Sequence, residues 1–567
     1  MANHKTKLEL TWIGKENRPK LEPRILVEDT GKSHHAPFRT GKSDIFDNRL
    51  IFADNLLALK ALEQEFFGKI KCIYIDPPYN TGAAFEHYDD GLEHSLWLTL
   101  MRDRLEILWR LLGKGGSIWI NIDDIEGHYL KVLCDEVFER RSFVANVVWQ
   151  KRTSRENRAA IGSSHDDILV YAVGGPQEWK DIRNRLPATD AGFANPDNDP
   201  RGEWRSIPFS AQGYRPNQMY DIVSPTGKTL SPPKGRCWAA TEPVFRQYLA
   251  ENRVYFPKGG DGRPRIKQFA GEEQGLAPMT WWEAKEAGDN EEAKKEILAL
   301  FEEQEPFGTP KPERLIHRVL RIATNPGDLV LDSFAGSGTT GSVAHKMGRR
   351  WIMVELGEHC HTHIIPRLKK VIDGEDKGGI TEAVGWKGGG GFRYYRLAPS
   401  LLQKDEFGNW IISKEYNPAM LAEAMCKLEG FTYAPSDTAY WRHGHSTETD
   451  FIYVTTQTLT REQLQKLSDE VGEGRSLLVM CGAFRVKNLD EFPNLTVKKI
   501  PKAVLNRCEW GKDDYSLEIK NLPMKPAEEE PEAKQSPPGK KPRTKAERRE
   551  QAQATLFDLT GGKEGEK

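Results

Sequence analysis

Four consecutive residues, Asp76-Pro77-Pro78-Tyr79, combine a carboxylate, two stiff residues and an aromatic ring directly after an apolar run. Neither proline has an N–H to give a central strand, so residues 73–75 predict a buried strand that ends at Asp76. In open α/β sheets ligands bind at that edge. The cluster suits a reaction at an exocyclic amine. The Asp76 carboxylate and the Pro77 carbonyl can accept its two N–H bonds, while Tyr79 stacks on its ring.

Taken alone, these four residues are also typical of a turn that simply ends a strand. A second pattern lies far downstream, where residues 328–332 predict a strand, 334–341 a glycine-rich turn, 342–347 a helix and 350–356 a second strand. This βαβ unit has G-x-G-x-x-G at its first turn and Glu355 at the next strand end, which is typical of a nucleoside-binding site. By itself the pattern fits NAD as well as S-adenosylmethionine.

Together the two patterns resemble the amino-methyltransferases of DNA. The order, with Asp-Pro-Pro-Tyr before the glycine turn, resembles their circularly permuted β class, and Asn80-Thr81-Gly82 extends the resemblance to the modification subunits of type III restriction systems. The resemblance covers residues 51–397. It implies an α/β fold with the Rossmann-like, permuted sheet of S-adenosylmethionine-dependent methyltransferases and an inserted target-recognition domain.

The resemblance also implies which residues form the site. It implies a reaction that requires no metal. Asp54 ends an apolar run and would hold the adenine of S-adenosylmethionine, although an Asp before a helix at 55–67 is also a favoured N-cap, and both roles can hold at once. Lys311 would lie near the methionine end of the cofactor, or else only begin a helix with Pro312. The catalytic residues are Asp76, Pro77, Pro78 and Tyr79, and the cofactor-binding residues are Asp54, Lys311, Asp332, Phe334, Gly336, Gly338 and Glu355.

Length and composition limit the class of protein. The 567 residues predict two to four domains, and a net charge of −2 requires any DNA site to be a local patch. Seven cysteines without a C-x-x-C pair indicate neither a disulfide framework nor a zinc ribbon. No signal peptide and no run of 18 apolar residues are present, so we expect no membrane association and a cytoplasmic, nucleoid-associated location.

Changes of character along the chain predict six segments. Alternating strands and helices favour a mostly parallel sheet, and a helix at 94–112 is expected to stop at the glycines of 113–116. A separate α/β module without a catalytic signature follows the core, and a Pro-, Glu- and Lys-rich tail predicts disorder. The segments are an N-terminal extension (1–43), the catalytic half of the core (44–150), a recognition region (151–307), the cofactor-binding half (308–397), the C-terminal module (398–523) and the tail (524–567).

In the region 151–307 basic residues alternate with aromatic ones, a mixture that fits phosphates, guanine edges and unpaired bases. The alternative is a loop-rich surface whose charges are simply solvated. The family that the chain resembles carries its target-recognition domain between the two halves of the core, so the resemblance favours DNA recognition for this region. The residues concerned are Arg152, Arg155, Arg158, Arg201, Arg205, Arg215, Lys234, Arg236, Arg263, Arg265 and Lys267, with Trp204, Tyr214, Tyr220 and Trp238.

Two clusters could suggest a metal. Asp123 and Asp124 follow a predicted strand at 117–122, but acids at a helix start are favoured by the helix dipole. His359 and His363 are four residues apart, but no matching pair occurs elsewhere, so solvated helix histidines are the preferred interpretation.

The sequence therefore predicts an S-adenosylmethionine-dependent methyltransferase that flips adenine out of double-stranded DNA and methylates N6, in a restriction-modification or phage-defence setting. Alternatives are cytosine-N4 methylation, a nicotinamide dehydrogenase, and a catalytically silent DNA-recognition subunit. Asp before Pro-Pro-Tyr favours adenine by resemblance. Open partners besides DNA are a second copy of the chain, a restriction or helicase subunit, and a sliding clamp docked through Gln553, Leu556 and Phe557.

Overall fold

A computed structural model describes residues 9–39, 41, 44–79, 90–155, 159–187, 192–272, 275–301 and 308–516, with the side chains of 90–93 excepted. The predictions for Asn80-Thr81-Gly82 and for the clamp motif at Gln553, Leu556 and Phe557 lie outside these residues. Within them, no helix combines the length and the apolar character needed to cross a bilayer.

One eleven-stranded sheet organises the chain, in the order β1-β11-β3-β10-β9-β4-β5-β7-β6-β8 with β2 paired to β11. The six adjacent strands β11, β3, β10, β9, β4 and β5 are parallel to one another. Strand β7 lies between β5 and β6 and is antiparallel to both. This confirms the predicted mostly parallel α/β sheet. The strands are β1 (Leu26–Glu28), β2 (His34–His35), β3 (Asn48–Phe52), β4 (Ile70–Ile75), β5 (Leu112–Ile122), β6 (Phe143–Gln150), β7 (His165–Ala172), β8 (Trp281–Trp282), β9 (Leu329–Asp332), β10 (Arg350–Glu355) and β11 (Gly391–Leu397).

Helices cover both faces of the sheet, as parallel strands require. One core lies under the helices at 55–66, 90–111 and 127–137. The other core lies under the helices at 175–182, 313–323, 339–346 and 365–372. In α6 the buried residues Leu315, Ile316, Val319, Leu320 and Ala323 recur at helical spacing, so one stripe faces the core. The helices are α1 (Asn55–Phe66), α2 (Asp90–Leu111), α3 (Gly127–Val137), α4 (Gly175–Ile182), α5 (Asn290–Leu300), α6 (Glu313–Ala323), α7 (Thr339–Lys346) and α8 (Ile365–Ile372).

The helix expected to stop at the glycines of 113–116 ends at Leu111, and the glycines themselves belong to β5. A Cβ on Gly113 would lie 2.7 Å from the Gly68 carbonyl oxygen, and one on Gly116 would lie 2.9 Å from that of Ile70. Glycine therefore permits a close approach between β5 and the start of β4, rather than ending pairing.

After α4, short strands and one further α-helix build the described part of the region between β7 and β8. Phe209, Ile222, Trp238 and Phe245 form a small core of its own. The strands are Trp204–Pro208, Ser210–Gln212, Ile222–Val223, Thr229–Leu230, Arg236–Trp238, Val254–Tyr255 and Arg265–Phe269, and the helix is Glu242–Ala250.

Three residues expected to face DNA in this region are instead buried. Trp204 and Trp238 pack inside, and Lys267 is held between Asp197 and Asp199. Tyr214 and Arg215 are exposed, in line with a binding surface.

Residues beyond β11 form a five-stranded sheet of Thr432–Tyr433, Gly444–His445, Asp450–Val454, Ser476–Cys481 and Leu495–Lys499. Helices Pro418–Glu429 and Arg461–Val471 pack on it, and its last three strands are parallel. Ile25, just before β1, shares a core with Leu401 and Leu421 of this module. The module is thus packed against the side of the large sheet that ends with the edge strand β1.

Candidate active site

A cavity of about 470 Å³ opens where the carboxyl ends of β4 and β9 lie side by side. Its volume is within the range of small-ligand sites. The two distant sequence patterns meet here, because parallel neighbours end at the same edge. The lining residues are Tyr74, Asp76, Pro77, Pro78, Tyr79, Lys151, Asp166, Asn290, Thr309, Lys311, Ile316, Asp332, Phe334, Ala335, Gly336, Ser337, Thr339 and Thr340.

Asp76 receives hydrogen bonds on both carboxylate oxygens. Lys311 Nζ lies 2.5 Å from Oδ2, and the Tyr79 hydroxyl donates to Oδ1 at 2.8 Å. The Lys311 ammonium also lies 5.3 Å from the centre of the Tyr79 ring. A carboxylate has about four lone-pair positions, so Asp76 retains acceptor capacity for a further N–H.

Tyr79 joins Asp76 to a second carboxylate. Its oxygen lies 3.3 Å from Asp166 Oδ2, and the Asn121 amide contacts the Tyr79 oxygen, Asp76 and Asp166. Lys151 Nζ in turn donates to Asp166 Oδ1 at 2.6 Å. Burial and then the charges of Asp76 and Asp166 raise the pKa of the Tyr79 hydroxyl well above its usual value, so it acts as a donor.

Asn121, Lys151 and Asp166 were missed by the analysis of the sequence. Asn121 lies in β5 near its carboxyl end, and Lys151 directly follows β6. Asp166 lies near the start of β7, but β7 is antiparallel to both neighbours, so its start lies at the same edge. The 14 residues between β6 and β7 are long enough for a hairpin or for a parallel crossover, so the sequence carries no signal that fixes the antiparallel pairing.

The glycine turn after β9 brings its backbone to the cavity wall. Gly336 and Gly338 have φ of 54° and 75°, which glycine adopts without strain. A Cβ on Gly338 would lie 3.0 Å from Ile364 Cγ2, so a side chain there would meet Ile364. A Cβ on Gly341 would overlap Met353, which explains the third glycine by the packing of α7 on β10.

Asp332, at the end of β9, is buried at 2% exposure. It accepts hydrogen bonds from the Phe334 N–H at 2.9 Å and the Thr340 hydroxyl at 2.6 Å. Burial nevertheless raises the pKa of this carboxyl to about 7, with a smaller contribution from the charges of Asp76 and Glu355.

Glu355 supports the glycine turn from the neighbouring strand. Its Oε2 accepts the Gly336 N–H at 2.8 Å, and its Oε1 accepts the N–H of Gly357 at 2.8 Å and lies 3.1 Å from His359 Nε2. Burial raises the pKa of Glu355, but these hydrogen bonds outweigh burial and hold it below its usual value. His359 is thus a partner of Glu355 and not merely a solvated helix histidine.

Asp54 is not brought to the cavity. Its Oδ1 caps α1 by accepting the N–H of Leu56 and Leu57, and its Oδ2 accepts from Arg104 Nη2 and the Tyr515 N–H. The side chain is 1% exposed. In this structure Asp54 acts as the N-cap of α1. The predicted contact with adenine would require Arg104 or Tyr515 to move away from its carboxylate.

Four of the seven predicted cofactor residues, Lys311, Asp332, Phe334 and Gly336, line the cavity, whereas Gly338 and Glu355 lie directly behind its wall. Two buried polar atoms at this end of the sheet, Tyr74 Oη and Asn121 Oδ1, have no hydrogen-bond partner in the described part of the chain. Unsatisfied buried polar atoms are costly. The cavity thus suits a ligand that carries polar groups.

The acids that might have suggested a metal have other contacts. Asp123 Oδ1 accepts the N–H of Ile125 and Glu126, which begins α3. Among the described residues, no group of three or more His, Cys, Asp or Glu side chains is placed to hold a metal ion.

The family model for DNA methylases matches residues 70–366, and the chain belongs to this family. It is 31% identical to the probable HindVI Mod subunit, a type III restriction-modification protein of Haemophilus influenzae, over 62% of this chain and 54% of that one. The StyLTI Mod subunit of Salmonella typhimurium is 32% identical over 57% and 51%. The chain spans about half the length of these curated relatives.

The DNA adenine methyltransferase YhdJ of Escherichia coli is 25% identical over 54% of this chain and 78% of its own. Among solved structures, a DNA modification methylase of Thermus thermophilus in complex with S-adenosyl-L-methionine matches 56% of this chain and 92% of its own, with 17% identity and a TM-score of 0.29.

Proposed function

We propose that the chain transfers a methyl group from S-adenosylmethionine to N6 of adenine in double-stranded DNA, as the modification component of a restriction-modification system. The observation that carries this proposal is the meeting of Asp76 and Tyr79 with the glycine turn in one cavity. The names of the relatives support the setting and the adenine target. Double-stranded DNA and a restriction subunit are the partners proposed, and a second copy of the chain and the clamp remain predictions.

In this proposal Lys311, Asp332, Phe334 and Gly336 hold the cofactor, with Glu355 fixing the turn from behind. Bound S-adenosylmethionine supplies a methyl group on a sulfonium, which is activated for transfer without a metal. Tyr79 receives the base that has been flipped from the duplex, an exchange that costs a few kcal/mol of stacking and pairing. Stacking on Tyr79 offsets about 1–3 kcal/mol of that cost.

Asp76 polarises the amine by accepting one N–H, while the Pro77 carbonyl accepts the other. The nitrogen lone pair then forms the N–CH₃ bond as the S–CH₃ bond breaks and its electron pair stays on sulfur. Positioning dominates such a displacement. The cationic nitrogen finally releases one proton to Asp76. Protonated Asp76 can then donate to the Tyr79 oxygen while the single Tyr79 hydrogen turns from Asp76 to Asp166 Oδ2 at 3.3 Å, and this relay offers a path away from the amine.

Tritium transfer from labelled S-adenosylmethionine to duplex DNA, followed by mass spectrometry of the nucleosides, tests the proposal. We expect N6-methyladenine from the wild type and no transfer by Asp76→Ala, which should still bind S-adenosylmethionine within a few fold. The control is Asp124→Ala, an exposed acid at the same edge of the sheet. N4-methylcytosine would establish the cytosine alternative, and near-normal turnover by Asp76→Ala would exclude the mechanism.

A further inference from the structure

A second, larger cleft of about 1040 Å³ lies at the opposite edge of the sheet, where β9 and β10 begin. It is bounded by the segment after α4, by α6 and by the turns that precede the two strands. Its lining is strongly basic, and no Asp or Glu is present among the described residues that line it. The charged or titratable lining residues are Arg183, Arg185, His317, Arg321, Lys346 and Arg349.

Within the part of the chain that the structure describes, ion pairs do not neutralise the arginines of this basic cleft. In the described residues none of the four arginines lies within 4.0 Å of a carboxylate oxygen, and only Lys346 does, between Glu313 and Asp376. Arg349 instead donates to the Thr324 carbonyl at 3.1 Å. Asp328, whose charge acts on Arg349, accepts the Asn325 N–H at 2.8 Å.

Mutual repulsion acts on the groups of the cleft. Burial and then the charges of Arg321 and Arg349 lower the pKa of His317 to about 4, more strongly than Glu313 raises it. Burial and then Arg185 lower the pKa of Arg183. Arginines that lie together without an ion-paired carboxylate are suited to bind anions, because an anion removes the repulsion and accepts charge-assisted hydrogen bonds.

We propose that this basic cleft binds phosphate groups, at a site separate from the catalytic pocket. Arginine presents a planar fork of donors that matches phosphate oxygens. The DNA backbone is the favoured source of the phosphate, because Arg183, Arg185, Gly271 and Gly275 in the cleft wall belong to the predicted recognition region. A small polyphosphate has the same chemistry and is the second source.

The test compares wild-type protein with the double variant Arg185→Gln/Arg321→Gln, which changes two exposed side chains. The matched control is Arg140→Gln/Arg141→Gln, an exposed pair outside the cleft with the same change in charge. One arm measures binding of a random-sequence duplex by fluorescence anisotropy at several salt concentrations. The other measures binding of tripolyphosphate by calorimetry without DNA. Binding of S-adenosylmethionine checks that each variant is folded.

We expect the cleft variant to bind duplex about tenfold more weakly at low salt, with a slope of log K against log salt shallower by about two. The control should stay within about twofold of wild type. If the cleft variant loses binding of both duplex and tripolyphosphate, the site binds the DNA backbone. If it loses only tripolyphosphate binding, the site binds a small polyphosphate. Unchanged binding in both arms, or an equal loss in the control, would overturn the proposal. None of these readouts depends on methyl transfer.

Discussion

The Tyr79 hydroxyl donates a hydrogen bond to Asp76 Oδ1 at 2.8 Å, so the ring proposed to stack on the base is tied to the proposed catalytic carboxylate. The stacking proposed for Tyr79 and the polarisation proposed for Asp76 are therefore linked through this hydrogen bond. Removing the ring and removing only its oxygen should have separable effects.

Tyr79→Phe keeps the aromatic face and removes the bond to Asp76, whereas Tyr79→Ala removes both. We expect Tyr79→Ala to lose about 1–3 kcal/mol of transition-state stabilisation through stacking, and Tyr79→Phe to lose less, mainly in kcat. Single-turnover methylation with saturating DNA and S-adenosylmethionine measures both. Equal losses would show that the hydroxyl, and not the ring, carries the function.

Asp166→Asn should slow methyl transfer about tenfold, which is about 1.4 kcal/mol, without changing the Kd for S-adenosylmethionine. The reason is that Lys151 loses its ion partner and Tyr79 loses a charged neighbour. The pH dependence of kcat should also change, because the proton path to a second carboxylate is removed. Asp167→Asn alters the next residue, whose side chain points to the other face of β7, and should behave as wild type. An unaltered pH profile in Asp166→Asn would exclude the proton path.

Asp332 predicts a specific loss of stability at higher pH. Its pKa of about 7 in the folded protein is above the value of about 3.9 for an unfolded Asp, so the native state binds more protons between these values. The stabilisation is present below pH 4 and is lost as pH rises through 7, a difference on the order of 4 kcal/mol. Asp332→Asn should therefore reduce the fall in Tm between pH 5.5 and pH 8 as measured by calorimetry. Parallel curves for wild type and variant would contradict this assignment.

Residues 151–307 should carry the choice of target sequence. Exchanging them for the equivalent segment of a related Mod subunit should change the methylated sequence and retain the chemistry. Sequencing of methylated DNA from an expressing host gives the result, and an Asp76→Ala version of the chimera is the control for background methylation. An unchanged target after the exchange would assign recognition to another part of the chain.

Much of the candidate active site could be predicted because local rules and tertiary structure agree there. The apolar run before Asp76 and the strand–glycine–helix pattern before Glu355 each specify their own elements, and parallel pairing of β4 with β9 brings them together. Asp166 could not be placed in the same way, since its position depends on β7 returning antiparallel between β5 and β6.

Asp54 shows a different limit. The sequence gives it an N-cap signal and, by resemblance, a cofactor role, but its burial depends on Arg104 and on Tyr515, which lie 50 and 461 residues away. Similarly, the glycines of β5 are needed for an approach to Gly68 and Ile70 that no local pattern encodes. Contacts of high sequence separation decide these positions.

The contact between Tyr515 and Asp54 has a consequence for biosynthesis. The Asp54 carboxylate is synthesised long before the Tyr515 N–H that donates to it, because 461 positions separate the two residues. The Arg104 guanidinium likewise waits for the Tyr515 carbonyl oxygen, which it contacts at 3.3 Å across 411 positions. A nascent chain can therefore form the large sheet and still present this buried ion pair to water. A chain truncated after Asp514 should therefore fold but be more sensitive to protease than the chain that includes Tyr515.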